Sequence, residues 1–269
     1  MTDQPAAKPI VLVTGGSRGI GKALAARFAK AGHDVAIVAR DPDHLSAAAK
    51  SIEAATGVCP LTLACDLTAP DAPKVIKKEL MAAGFYIDIL INNAALGLSG
   101  PFAAHSADEI DRLLALNISA IVRMTHAGLN DMIARRHGGI LNIASLGGYA
   151  PGPGQAIYYA SKAFVLSLTE ALAVETSGLG IRIAAVAPGP VATTFHKDMH
   201  ADDARYRLFL PELSPDRVAR ITYCRFMLGQ RVIVPGLVPQ IMQAGLKVLP
   251  HRMSAAMIGW LLHSSKERR

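Results

Sequence analysis

The sequence predicts an α/β protein: a doubly wound parallel sheet in a single domain, with an apolar helical extension at its C-terminus. Three observations carry this. Short apolar, β-branched runs alternate with helix-favouring segments along most of the chain, as in a parallel sheet covered on both faces. The first run ends in clustered glycines that lead straight into a helix. No internal repeat or linker divides the 269 residues, a length at which α/β folds often stay single.

The first strand is Pro9 to Ser17, PIVLVTGGS, stopped by its glycines. Gly15, Ser17, Arg18, Gly19, Ile20 and Gly21 then lead into KALAARFAKAG, a helix ending at Gly32. In a strand–turn–helix setting such glycines let backbone approach a pyrophosphate at the helix N-terminus. The bland alternative is a tight turn that binds nothing.

The second strand, Asp34 to Arg40, is followed by Asp41-Pro42, a helix cap with proline at the first helical position. An acid at this strand end would bind a ribose 2′-hydroxyl, whereas arginine suits a 2′-phosphate. Arg40 and Arg18 favour NADP. Asp41, about twenty residues past the glycines, is the counter-signal that keeps NAD possible; we read it as the cap.

Cys59 to Leu67 forms the third strand, with Asp66 at its end to meet an adenine or start a turn. A helix follows near 70–83. The fourth strand starts at Ile87 and closes on Asn92-Asn93-Ala94-Ala95, small and amide side chains that leave room for a ligand at a strand's carboxyl end. A polar turn would read much the same. Ser106 to Glu109 has capping-box form and opens a long helical pattern to about Arg136. Asn117 lies inside it, an unfavourable interior residue unless its amide has a task. Asn117-Ile118-Ser119 also matches a glycosylation acceptor, a reading discarded for a mid-helix site.

Ile140 to Ala144 is the next apolar run, ending in Ser145, and a small-residue loop spans 146–154. A helix from Tyr158 to about Ser177 carries YYASK. Four residues apart, Tyr158 and Lys162 share a helix face. A tyrosine of pKa about 10 is a poor proton shuttle near neutrality, and a nearby ammonium favours its phenolate. With the Ser145 hydroxyl as a hydrogen-bond donor, the pair suits acid–base chemistry at a carbonyl or alcohol.

Ile181 to Pro188 is the sixth strand, broken sharply by Pro188-Gly189-Pro190 ahead of Thr193. Residues 195–213 are polar and mixed, suiting a mobile loop over a site. His196 and His200 are four apart but lack a third ligand nearby, so we expect them to face solvent or substrate and expect no metal. Ser214-Pro215 starts another helix, and Arg231 to Gly236 gives a short seventh strand. The tail, Leu237 to His263, is apolar and helical, interrupted by Lys247, His251 and Arg252. Packing on another subunit, covering the cleft and resting on a bilayer surface are all open to it.

Composition narrows the class. Three cysteines, Cys59, Cys65 and Cys224, lack metal-ligand spacing and read as reduced thiols. MTDQPAAKP has no apolar signal core and no uncharged run of 18 apolar residues occurs, so we expect a cytoplasmic protein. The net charge of +7 suits an anionic cofactor, an acidic carrier or membrane headgroups. No dense basic tract precedes Lys266-Glu267-Arg268-Arg269, and no nucleic-acid partner is expected.

TGGSRGIG, NNAA, Ser145, YYASK and PGPVATT, in that order over residues 8–236, closely resemble the short-chain dehydrogenase/reductase family. The resemblance implies a Rossmann fold with strand order 3-2-1-4-5-6-7, usually as homodimers or homotetramers. Residues 1–236 would form the dinucleotide-binding catalytic domain and 237–269 its helical extension. It implies that Tyr158 is the acid/base, that Lys162 lowers the tyrosine pKa and holds the nicotinamide ribose, and that Ser145 orients the substrate carbonyl. Asn117 would support a water-linked proton relay. Cofactor contacts are implied for Gly15, Ser17, Arg18, Gly19, Ile20, Gly21, Arg40, Asp66, Asn92, Pro188 and Thr193, besides Tyr158 and Lys162. Ala95 departs from the family's usual glycine. The implied reaction is metal-free hydride transfer between a nicotinamide and a carbonyl or secondary alcohol. Leu96, Leu98 and the 146–154 loop suggest an apolar pocket and an apolar small-molecule substrate. The alternatives are a membrane-surface lipid or steroid reductase, like the steroid- and acyl-reducing branches of the family, and a non-catalytic dinucleotide-binding sensor or scaffold.

Overall fold

The structure, a computed structural model, describes residues 7–199, Arg205 and residues 211–263. Seven parallel strands form one sheet in the order β3-β2-β1-β4-β5-β6-β7. They are β1 Lys8–Thr14, β2 Val35–Ala39, β3 Leu61–Ala64, β4 Phe85–Asn92, β5 Gly138–Ile143, β6 Ile181–Val186 and β7 Val232–Ile233. Strand order reverses between β1 and β4, which opens a crevice at the carboxyl edge of the sheet.

Helices cover both faces. In chain order they are α1 Gly19–Lys30, α2 Pro42–Thr56, α3 Ala72–Ala82, α4 Ala107–Leu114, α5 Ile121–Arg135, α6 Ala156–Glu175, α7 Phe195–Asp198, α8 Pro215–Met227, α9 Leu237–Val248 and α10 His251–Leu262. Alternate residues of β1 show how the two cores arise. Val11 and Val13 pack with Leu24 and Phe28 of α1 on one face, while Ile10 and Leu12 pack with Ile76 and Leu80 of α3 on the other. Such strands must be apolar on both sides, hence their unbroken Val/Ile/Leu runs.

Caps end the helices where the sequence predicts. The Asp41 carboxylate accepts from the Asp43 and His44 amides at 2.9 and 3.0 Å, and Pro42 opens α2. Ser106 and Glu109 form a complete capping box on α4. The long pattern from Ser106 to Arg136 is not one regular helix. A π-helical segment, Ala115–Ala120, separates α4 from α5 and places Asn117 within the wider turn. Backbone widening of this kind concentrates at functional positions, and side-chain periodicity does not reveal it.

Other boundaries shift modestly. The third and seventh strands are shorter than the apolar runs suggest, and α6 starts at Ala156. The segment expected as a loop begins with the short helix α7 and Met199; residues 200–210 apart from Arg205, His200 among them, and the His196 side chain lie outside the described residues. Among the described residues no cluster of three metal-ligating side chains occurs.

A buried polar ladder crosses the sheet beneath the crevice. Asn92 and Asn142 are register partners on β4 and β5. Asn92 Nδ2 donates to Asn142 Oδ1 at 2.8 Å and to Thr125 Oγ1 of α5 at 3.0 Å. Asn142 Nδ2 donates to Thr169 Oγ1 of α6 at 2.9 Å. Both asparagines are at most 2% exposed, so each lost partner strands a desolvated group. Asn142→Ala is expected to lower unfolding free energy by about 2–4 kcal/mol, measured by urea denaturation, with the far-ultraviolet circular dichroism spectrum kept.

Candidate active site

Residues from six strand ends converge on one cavity of about 540 Å³ at the carboxyl edge of the sheet. Its floor at one end is the glycine loop. Gly15 and Gly19 take left-handed backbone, φ +63 and +55, which side chains adopt at a cost. A Cβ on Gly21 would overlap the Gly15 carbonyl oxygen, so this glycine is demanded by the close approach of loop and helix. The loop is bolted to β4: the Thr14 hydroxyl accepts from the Asn93 amide at 2.9 Å and donates to the Ile91 carbonyl at 3.2 Å. Asn93 Nδ2 donates to the Thr14 and Gly15 carbonyls at 3.0 and 3.1 Å.

The first turn of α1 carries no acidic residue, and its N-cap position, Arg18, makes no side-chain cap. The unsatisfied amides and the positive helix end therefore remain available to an anionic group. Ser17, Arg18, Gly19, Ile20, Arg40, Asp66, Pro188 and Thr193 all line the cavity. Arg18 Nη1 also meets Asp198 at 2.8 Å and Thr194 Oγ1 at 3.3 Å, an exposed arrangement that costs little to rearrange. Asp66 accepts from the Thr68 amide and hydroxyl, both at 2.9 Å. These bonds, with Arg40 and Arg112 nearby, hold its carboxyl below the usual range. A dinucleotide fits these residues: glycines for the phosphates, cations at the far end, and an acid after β3.

Asn92 does not belong to that lining. Its side chain is spent in the buried ladder, and the neighbouring Asn93 faces the cavity. In a strand, successive side chains face opposite ways, but the point at which the strand ends decides which of two adjacent asparagines reaches the crevice. Leu98 is likewise absent from the lining, whereas Ala95 and Leu96 contribute to it.

Ser145, Tyr158 and Lys162 meet at the centre. Ser145 follows β5 and its hydroxyl accepts from the Gly147 amide at 3.1 Å, while the Ser145 and Tyr158 side chains are hydrogen-bonded. Lys162 is 2% exposed; its ammonium donates to the Ile143 carbonyl at 3.0 Å and lies 5.7 Å from the Tyr158 ring centroid. Tyr159 also lines the cavity but packs against Gly147 and Gly152. The expected lowering of the tyrosine pKa is not what the protein alone provides. Burial pushes Tyr158 up to about 12, only partly opposed by the Ser145 hydrogen bond, and burial pushes Lys162 down to about 8. Desolvation of both groups outweighs their proximity.

Asn117 approaches from the π-helical segment with its side chain committed. Oδ1 accepts from the Leu96 amide at 2.8 Å, and Nδ2 donates to the Leu96 carbonyl at 2.8 Å and to Ser161 Oγ at 3.1 Å. It ties the strand-end loop to α6. Its amide is a strut.

Residues far along the chain close the other end. Met199, Met242, Leu246, Ile258, Leu261 and Leu262 line it, so the tail covers the cleft. Gln243 Nε2 donates to the Tyr149 hydroxyl at 2.8 Å, fastening α9 to the loop after β5. Their apolar character was visible in the sequence; their inward faces were not.

A family model described as short chain dehydrogenase matches residues 9–204. The chain belongs to the short-chain dehydrogenase/reductase family. Family members are oxidoreductases, and the parallel sheet with its flanking helices is that of their solved structures. A short-chain type dehydrogenase/reductase of Sinorhizobium fredii is 34% identical over 249 residues, 91% of this chain and 95% of that one. A short-chain dehydrogenase from Sphingobium yanoikuyae, solved in complex with NADPH, is 34% identical with a TM-score of 0.77, over 90% of this chain and 96% of that one. The bulky-bulky ketone specific alcohol dehydrogenase from Comamonas testosteroni is 30% identical with a TM-score of 0.73, over 94% of this chain and 99% of that one.

The buried lysine makes a pH prediction. Between its folded value of about 8 and its ordinary 10.5, the unfolded chain binds the extra proton, so stability rises with pH. Against Lys162→Met, wild type is expected to gain about 2 kcal/mol between pH 8 and 10, read from urea midpoints at each pH.

Proposed function

We propose that this protein is an NADP-dependent reductase of bulky, apolar ketones, working also in the direction of alcohol oxidation. The carrying observation is the placement of Ser145 and Tyr158 midway in a cavity whose outer end is walled by apolar side chains of α9 and α10. The relatives solved with NADPH and with specificity for bulky ketones support this reading.

The glycine loop and the free N-terminus of α1 would hold the pyrophosphate, Arg18 and Arg40 the 2′-phosphate, and Lys162 the nicotinamide ribose. Asp41 lines the cavity beside Arg40, but its Oδ1 is taken by the two cap amides of α2, which favours NADP over NAD. The bound dinucleotide supplies or accepts the hydride. The protein's own part is proton control. During reduction the Ser145 and Tyr158 hydroxyls both address the carbonyl oxygen. As charge develops there, Tyr158 gives its proton and becomes a phenolate, which the Lys162 ammonium stabilises. Burial favours the protonated phenol, so Tyr158 keeps its proton until charge develops on the carbonyl oxygen. Apolar walls exclude water and select substrates by bulk.

Tyr158→Phe is expected to lower kcat by about 10²–10⁴ with NADPH affinity unchanged by calorimetry. Loss of binding along with turnover would instead make the residue structural. Arg40→Ala is expected to weaken NADPH about tenfold or more and NADH hardly at all. A wild-type preference for NADH, or best turnover with small charged carbonyl compounds, would overturn the cofactor or substrate assignment.

A further inference from the structure

The charge of this chain is concentrated at one end. Residues 1–216 hold nineteen Lys and Arg against twenty Asp and Glu, whereas residues 217–269 hold nine against one. Between Arg217 and Lys266 there is no acidic residue. Helices α9 and α10 lie in this stretch, and each is apolar on two sides. Inward, Met242, Leu246 and Ile258 wall the cavity. Outward, Leu237, Ile241 and Val248 of α9 are 72%, 64% and 82% exposed, and Met253 and Trp260 of α10 are 59% and 51% exposed. On α9 these three residues follow helical spacing, so they form one stripe. Lys247 and Arg252 are exposed beside them, and Arg205 stacks 5.4 Å from the Trp260 ring centroid.

We propose that the outward faces of α9 and α10 dock this protein onto an anionic lipid surface. An apolar stripe with cationic flanks and an aromatic ring at its edge fits the boundary between acyl chains and acidic headgroups. Charge decides against a second copy of the chain. A two-fold interface would set this face against the same face of another copy, gathering two copies each of Lys247 and Arg252 with no acid in either helix to offset them. An anionic bilayer supplies the missing charge. The same two helices form the apolar end of the cavity, so docking brings the cleft next to the phase in which a bulky apolar substrate dissolves.

The test is cosedimentation of the full chain with vesicles, without cofactor or substrate, so that its failure and the failure of the reductase reading are separate results. Binding to phosphatidylcholine vesicles containing phosphatidylglycerol is expected to exceed binding to phosphatidylcholine alone about tenfold and to fall in high salt. The double variant Ile241→Glu, Met253→Glu is expected to lose about tenfold in binding while keeping its melting temperature and its turnover of a water-dispersed ketone. Equal binding by wild type and variant, or none by wild type, overturns the proposal. So does a wild-type dimer on lipid-free ultracentrifugation that the variant abolishes, which would assign the face to a second copy.

Discussion

A lysine ammonium buried at the carboxyl edge of the sheet is the constraint on which the site depends. Removing a cation from water is costly unless its hydrogens find acceptors. Lys162 meets that demand by donating to the Ile143 carbonyl, the last residue of β5. The bond fixes the rotation and height of α6 against the sheet, and Tyr158, one turn earlier on the same helix, is placed with it. Ser145 needs no separate device, because it lies two residues beyond the carbonyl that anchors the lysine. Three chemically distinct groups are thereby positioned by one helix–strand contact. The cost persists in the depressed lysine pKa and the raised tyrosine pKa.

Polar groups elsewhere in the molecule extend this logic. The Asn92–Asn142 pair joins β4 to β5 and reaches α5 and α6 through Thr125 and Thr169. Asn117 adds a second tie between the loop after β4 and α6. The Thr14–Asn93 contacts join the glycine loop to β4 across the point where strand order reverses. Each tie sits just below the cavity, where apolar packing thins out as the strands end. Directional bonds there hold a geometry that hydrophobic contact alone leaves loose.

The tail adds the element that the sheet lacks. A doubly wound sheet offers an open crevice suited to a dinucleotide; a second, apolar compartment requires a wall. Helices α9 and α10 provide it, held by the Gln243–Tyr149 hydrogen bond. Their two-sided apolar character is a departure from ordinary amphipathic helices, and it puts the cavity wall and an exposed apolar face on the same two helices.

Much of this was legible in the residues. Strand and helix order followed from the alternation of β-branched runs with helix formers, because burial on both faces leaves little choice of side chain. Asp41 as a cap, the capping box at Ser106 and the glycine loop were equally readable, since each is a local backbone requirement. So was the pairing of Tyr158 with Lys162, which helical spacing alone imposes. Only the tertiary structure decided that Asn93, and not Asn92, faces the cavity, because that depends on where β4 ends against its neighbours. The widened turn around Asn117 and the burial that drives the Tyr158 and Lys162 pKa values apart are also invisible to spacing. The tail's inward face belongs to the same class: an apolar helix declares that it must be covered, but what covers it is set by elements distant in the chain.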